Sequence, residues 1–275
     1  MLFVTQCRAR GSPSAGLALI NDPFFYLLGI AGYLVIGFSK AGFGTGIGSL
    51  VVPLLAMTVP VPQAAAIVLP ALLLTDIVTL WMYRRHCVWA HLRIILPGVF
   101  AGTALGYVTF TFFDDNAIRL LIGSMAVGLS LNALLQAWLQ GNKPPVPRRP
   151  SWIKGSFWST AASLTSFVAN AGGPPLAVYL LPLRLDRSTF VGTTTVYWAV
   201  SNYLKIVPYW WLGQFTSENL LTAAVLLPAA PVGIAIGFWL HRRLDDRGFY
   251  RWIYALLFLT GVKLLWDGLS GVGLL

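Results

Sequence analysis

The chain has 275 residues, of which 57% are apolar and 10% are charged, and its formal net charge is +10. Its mean hydropathy of +0.72 excludes a soluble domain, whose surface needs many more charged residues. Uncharged stretches of about twenty residues, the length with which a helix crosses the hydrocarbon core, recur along the chain. We therefore predict an all-α polytopic membrane protein, because a helix satisfies its backbone polar groups within one segment.

The positive charge lies mainly in short loops between apolar runs, which indicates membrane topology and not nucleic-acid binding. The two cysteines, Cys7 and Cys87, support neither a disulfide framework nor a thiolate metal site. The three histidines, His86, His91 and His241, flank predicted helix ends. We therefore predict no metal, no cofactor and no metal-centred enzyme within the membrane.

In chain order, residues 1–20 form an N-terminal tail, 21–139 a first membrane repeat, 140–152 a basic, proline-rich cytoplasmic linker, and 153–275 a second membrane repeat. Two apolar regions are interrupted by glycine or proline, and each predicts a broken hairpin of short helices that starts a repeat. These regions are 24–58 and 153–183. The runs long enough to span the membrane are 63–83, 92–113, 117–139, 188–212, 218–240 and 249–270.

The two halves share features at an offset of about 130 residues, which indicates an internal duplication. Ala41-Gly42 falls on Ala171-Gly172, and Leu96-Pro97 falls on Leu227-Pro228. Loops that are basic in one half have uncharged or acidic counterparts in the other. Since basic loops are cytoplasmic, the pattern predicts two inverted-topology repeats of about five helical segments each, as in many secondary transporters.

The pattern Gly37-Phe-Ser-Lys-Ala-Gly-Phe-Gly44, followed later by Asn170-Ala-Gly-Gly-Pro-Pro175, resembles the TauE/SafE sulfite exporter family, carriers of the toluene-sulfonate-uptake type. The resemblance extends over about 24–270. It implies a multi-pass protein of the bacterial cytoplasmic (inner) membrane that exports sulfite or a related organosulfonate. Because substrates vary within the family, it supports a small sulfur-containing anion better than sulfite itself.

Both glycine-rich breaks are predicted to start a helix, and a helix N-terminus attracts anions through its free N–H groups and its dipole. Inverted symmetry would bring the two starts together near the midplane of the membrane. The predicted substrate-binding residues of the breaks are Lys40, Ala41, Gly42, Gly44, Thr45, Asn170, Ala171, Gly172 and Gly173, with Ser39 and Asn202 as further candidates.

Three charged residues lie inside apolar segments, where a charge is costly enough to suggest function. Lys40 either binds the anion, snorkels to an interface or pairs with Asp76. Lys205 is a further candidate for substrate binding, with pairing or snorkelling as the alternative. Asp76 is the candidate for coupling to a proton, and an internal ion pair is equally compatible with its position.

The leading hypothesis is a secondary transporter that exports the anion by alternating access, with membrane lipids and a coupling proton as partners and homo-oligomers as an option. The chain has no GxxxxGK[ST] motif, so direct use of ATP is unsupported. An anion channel, or a membrane subunit or enzyme without transport activity, is the alternative. A channel would show flux without saturation.

Overall fold

The computed structural model describes residues 20, 22–44, 47–109 and 147–272, together with positions 120, 123–124, 126–132 and 134–135. Every regular element in this part of the chain is helical. Thr45, nearly all of the predicted tail, about half of the predicted span 117–139 and residues 140–146 of the predicted linker lie outside the described residues. The α-helices are α1 (Pro23–Phe43), α2 (Val51–Leu55), α3 (Val61–Tyr83), α4 (Trp89–Thr109), α5 (Trp152–Ala169), α6 (Gly173–Leu180), α7 (Arg187–Trp211), α8 (Ser217–Leu226), α9 (Ala229–Arg243) and α10 (Asp246–Gly271).

Within the described residues, α1, α3, α4 and α10 are each long and apolar enough to cross a membrane, and α8 with α9 forms a fifth span bent by 45°. Helix α7 has 25 residues, but buried polar side chains such as Asn202 and Lys205 make it less apolar. Large apolar side chains are exposed on the outer surface, among them Leu27, Ile77 and Val108. An apolar exterior of this extent suits contact with lipid, and the prediction of a polytopic helical membrane protein is confirmed.

Helix α1 differs from its prediction as one limb of a hairpin of short helices. It runs unbroken for 21 residues from its Asp22 cap to Gly44, which ends it in the left-handed conformation at φ 71°. Only the return limb is short: a 3₁₀ turn at Ile47–Leu50 followed by the five residues of α2. The glycines of α1 were interpreted as breaks, whereas Gly37 lies against the carbonyl oxygen of Ala230 in α9 and lets the two helices touch.

The predicted run 218–240 is also not one straight helix. It is divided at Leu227-Pro228 into α8 and α9, because proline cannot donate the hydrogen bond that continues a helix. Pro97, its counterpart in the first half, lies inside the unbroken α4. Proline at equivalent positions therefore interrupts the α8/α9 segment of the second half but not α4 of the first half.

Contacts between α1 and α3 show that these helices run parallel. Tyr33 donates to the Ile67 carbonyl oxygen at 2.6 Å, and Tyr83 donates to that of Ala41 at 2.6 Å. Residue numbers rise in the same direction along both helices at these contacts. The segment between α1 and α3 must therefore return to the side of the membrane on which α1 begins. Helices α5 and α7 are parallel by the same criterion, through Tyr197 to Ser159 at 2.6 Å and Tyr209 to Phe167 at 2.9 Å.

Helices α3 and α7 contact each other in the opposite sense. Asp76 accepts a hydrogen bond from Asn202 at 2.7 Å, whereas His86, just after α3, lies against Gly192 near the start of α7. Residue numbers rise along one segment as they fall along the other, so the two helices are antiparallel. The first helix of each half packs on a helix of the other half: α1 on α9, and α5 on α4.

Candidate functional site

A cavity of about 60 Å³ lies where the two halves meet. A space of this size is large enough to admit water and suits a compact anion. None of its lining residues carries a carboxylate. They are Ile36, Ser39, Lys40, Gly44, Gly48, Val68, Leu72, Ser166, Asn170, Gly173, Trp198 and Asn202.

Lys40 lies on the cavity wall in the last turn of α1, where the negative end of the helix dipole favours a cation. Its ammonium donates to the carboxylate of Asp76 on α3 and to the Leu72 carbonyl oxygen at 3.3 Å. The Asp76 side chain is completely buried, and that of Lys40 is 12% exposed. Of the alternatives left open by the sequence, Lys40 thus adopts the ion pair and also reaches the cavity.

Asn202 links this ion pair to the second buried lysine. Its amide nitrogen donates to Asp76 at 2.7 Å, and its amide oxygen accepts from Lys205 at 3.3 Å. The Lys205 ammonium also donates to the carbonyl and hydroxyl oxygens of Ser166 and to the amide oxygen of Asn170, each at 2.8 Å. Lys205 is fully buried behind these three residues, which themselves line the cavity.

The orientation of the Asn170 amide follows from this contact. An ammonium only donates, so Asn170 must present its oxygen to Lys205 and direct its NH₂ group elsewhere. That Nδ2 is buried and has no hydrogen-bond partner within the described residues. An unpaired buried donor costs about 1–3 kcal/mol, which an anion in the cavity would offset by accepting its hydrogen bond.

Counted by formal charges, the buried network is positive. It contains the ammonium groups of Lys40 and Lys205 but only the carboxylate of Asp76, which leaves +1. Within the described residues, Lys205 contacts neutral oxygens only. A charge that is solvated by neutral groups in a low-dielectric interior attracts an anion strongly.

The predicted site residues divide into two groups. Ser39, Lys40, Gly44, Asn170, Gly173 and Asn202 line the cavity. Ala41, Gly42, Ala171 and Gly172 are buried nearby but are not among its lining residues. Gly42 instead packs against Gly237 of α9, and Gly172 against Ala162 and Ser166 of α5.

Both predicted helix starts contribute to the cavity wall: Gly173 begins α6, and Gly48 belongs to the 3₁₀ turn that follows the first break. Pro174 and Pro175 occupy the first turn of α6, as the sequence predicted, and neither has an N–H to offer. Helix α2 contributes no lining residue. The unpaired side-chain donor on this wall is the amide of Asn170, which ends α5 in the left-handed conformation at φ 50°.

Sequence reasoning missed several lining residues, notably Ser166 and Trp198. Tryptophans were interpreted mainly as interfacial anchors, which suits the exposed Trp210 and Trp211. Trp198 is buried instead, and its indole N–H donates to the Gly44 carbonyl oxygen at 2.9 Å. This contact ties α7 of one half to the end of α1 in the other.

Comparison with protein families identifies the class of protein. The model of the sulfite exporter TauE/SafE family matches residues 28–264, which include both cavity walls and every residue of the buried network. Searches of curated proteins and of solved structures found no significant match. Members of the family are transporters and not enzymes. The chain therefore belongs to the TauE/SafE sulfite exporter family and is a multi-pass membrane protein that transports a small sulfur-containing anion.

Proposed function

We propose that the protein is a secondary transporter that exports sulfite, or a similarly compact sulfur-containing anion, through the central cavity by alternating access. The observation that carries this proposal is the buried network of net charge +1 beside a cavity without carboxylates. The anion accepts hydrogen bonds from the free amide of Asn170 and from Lys40. Lys205 supplies the charge from behind the wall and holds Asn170 and Asn202 in position.

Alternating access requires two bodies that move against each other around a fixed site. The parallel pairs α1/α3 and α5/α7, with α3 and α7 antiparallel, support an inverted repeat. The cavity lies between these pairs, and both halves contribute to its wall. We therefore assign the relative motion to the α1/α3 and α5/α7 pairs, with the last turn of α1 and the turn at Asn170 beside the anion.

Asp76 is our candidate for proton coupling. It is completely buried between the ammonium of Lys40 and the amide of Asn202. Protonation of this carboxyl removes the ion pair and frees the Lys40 ammonium to contact the anion in the cavity. Loss of the proton restores the pair and weakens anion binding, so proton and anion affinities are linked.

The location that fits this function is the bacterial cytoplasmic membrane. The basic loops with Arg84, Arg187 and Arg242 are cytoplasmic by the charge rule. Their ends meet in the structure, because His86, Arg187 and Arg242 line one common cavity. This convergence supports placing all three loops on the same side of the membrane.

The test is uptake by purified protein in proteoliposomes, with sulfite, thiosulfate, sulfate and a small sulfonate, each with and without an imposed pH gradient. We expect saturable uptake of at least one sulfur-containing anion, accelerated by the gradient. Absence of uptake for all four would remove the transport proposal. Flux that never saturates would identify a channel, and uptake that ignores the gradient would remove proton coupling.

Asn170→Asp tests the site within the same experiment. Aspartate tolerates the left-handed backbone and still accepts from Lys205, but it lacks the free NH₂ group and cancels the net charge of the network. We expect uptake to fall by about tenfold or more, the value of one hydrogen bond to a charged group. Elution as a single species and an unchanged melting temperature serve as controls. Wild-type uptake would exclude Asn170 from the site.

A further inference from the structure

A second cavity, of about 260 Å³, lies at the ends of α3 and α9 and at the start of α7. Three loop regions that are distant in sequence meet there, and each contributes a basic or imidazole side chain. The wall contains two guanidinium and two imidazole groups and no carboxylate. Its residues are Met82, Tyr83, His86, Arg187, Ser188, Phe238, His241 and Arg242.

The polar groups of this wall are held in fixed positions. His241 is buried, with its two ring nitrogens 2.9 Å from the Gly42 carbonyl oxygen and 3.2 Å from the Ser188 hydroxyl. Arg187 donates from one guanidinium nitrogen to the His241 carbonyl oxygen at 3.0 Å. A guanidinium has five N–H donors, so most of those on Arg187 stay available to a ligand.

The guanidinium of Arg242 packs over the Phe238 ring, 5.9 Å from its centroid, which lays the side chain along the wall. Within the described residues, neither Arg187 nor Arg242 forms an ion pair. Two carboxylates lie near the wall without forming an ion pair with either arginine: Asp186 accepts from the backbone N–H of Thr189, and Asp246 from that of Arg187. The two guanidinium groups therefore remain without a bound anionic partner.

The last turn of α1 lies between this cavity and the central one. On the side of the second cavity, Tyr83 donates a hydrogen bond to the Ala41 carbonyl oxygen. A ring nitrogen of His241 is hydrogen-bonded to the Gly42 carbonyl oxygen. Lys40 and Gly44 of the same turn line the central cavity. The last turn of α1 therefore contacts the residues of both cavities.

We propose that the second cavity is an anion-binding vestibule, which takes up a sulfur oxyanion or small sulfonate on the side of the basic loops before it reaches the central cavity. Guanidinium groups bind such oxyanions through paired N–H donors. A concave wall with cations alone also raises the local anion concentration and the rate of capture. In its choice of ligand, this proposal rests on the proposed transport function.

Arg242→Gln tests the vestibule, and Arg243→Gln is its matched control. Both arginines are exposed and adjacent on α9, and both substitutions remove one charge from the same loop. Arg243 does not line the cavity, because its guanidinium lies over Trp239 at 5.0 Å. The readout is the concentration dependence of radiolabelled sulfite uptake into inside-out membrane vesicles, which present the cytoplasmic face to the medium.

We expect Arg242→Gln to raise the half-saturating sulfite concentration about three- to tenfold at low ionic strength, with the maximal rate unchanged. Arg243→Gln should leave both parameters at wild-type values. The difference between the variants should shrink as salt screens the vestibule. Identical saturation curves for the two variants would overturn the vestibule and leave the transport function intact.

Direct binding separates this proposal from the transport function. In Asn170→Asp protein the central site is disabled, so sulfite binding measured by titration calorimetry reports the vestibule. We expect weak binding that disappears when Arg242→Gln is added and persists when Arg243→Gln is added. No binding by Asn170→Asp protein, or binding that Arg242→Gln leaves unchanged, would overturn the vestibule even if wild-type protein transports.

Discussion

The two buried lysines belong to different halves and are neutralised differently. Lys40 on α1 contacts the carboxylate of Asp76, whereas Lys205 on α7 contacts four neutral oxygens. Both keep a cation out of contact with lipid. Only the second arrangement leaves its charge uncompensated, so the first half supplies a neutral pair and the second half supplies the attraction for an anion.

The strongest test of this difference is Lys205→Met, which keeps the length and apolar stem of the side chain but removes its charge. The net charge of the network falls from +1 to zero, because Lys40 and Asp76 still cancel each other. We expect sulfite uptake into proteoliposomes to fall to the level of empty vesicles. Lys263→Met is the control, since Lys263 is 52% exposed and pairs with Asp267 away from the cavity. Substantial uptake by Lys205→Met would assign the attraction to Lys40 instead.

The second test concerns stability and uses Lys40→Met, Asp76→Asn and the double variant. Removing one partner of a buried ion pair leaves a charge unpaired, so each single substitution should lower the free energy of unfolding by about 3–5 kcal/mol. The double variant should lose clearly less than the sum of the two and keep the charge of Lys205. Unfolding in mixed detergent micelles, followed by circular dichroism, measures all three values. Additive losses would contradict a coupled pair.

The smallest expected effects come from the helix contacts that the halves share. Gly233→Ala would place a Cβ atom 2.1 Å from the Leu34 carbonyl oxygen, and Gly102→Ala would place one 2.3 Å from that of Thr160. Each should cost about 1–3 kcal/mol in the same unfolding assay, as overpacking does.

Gly128 is the control for these two substitutions. At Gly128 an added Cβ meets nothing within 4 Å, so Gly128→Ala should be neutral or stabilise the helix by up to about 1 kcal/mol. If only one of Gly233→Ala and Gly102→Ala lowered the free energy of unfolding, the α1/α9 and α4/α5 contacts would not be equivalent.

Several residues of the candidate site could be singled out from the sequence because charge inside an apolar run is rare and therefore informative. Lys40, Asp76 and Lys205 stood out on that ground, and Asn202, a further candidate, contacts Asp76. Composition could not decide between ion pairing and ligand binding for Lys40. That choice depends on how closely α1 and α3 approach, which packing sets.

The predictions that differed from the structure concerned glycine and tryptophan residues. A glycine in an apolar segment has the same appearance whether it breaks a helix, as Gly44 does, or forms a close contact, as Gly37 does. Trp198 differs from Trp211 only in which neighbours fold around it. Such distinctions arise from contacts between elements more than one hundred residues apart, and no local pattern encodes them.

The packing of α1 against α9 also constrains how the protein is made. Gly37 and its partner Gly233 are separated by about 200 residues of synthesis, which takes about 10–40 s at ordinary elongation rates. During that interval α1 is in the membrane without the helix that its glycine face fits. Helices α4 and α5, by contrast, are separated by only about 40 residues, so they meet after a much shorter delay. The packing of the first half is therefore completed only after α9 has been synthesised. A chain truncated before α9 would leave α1 without its partner.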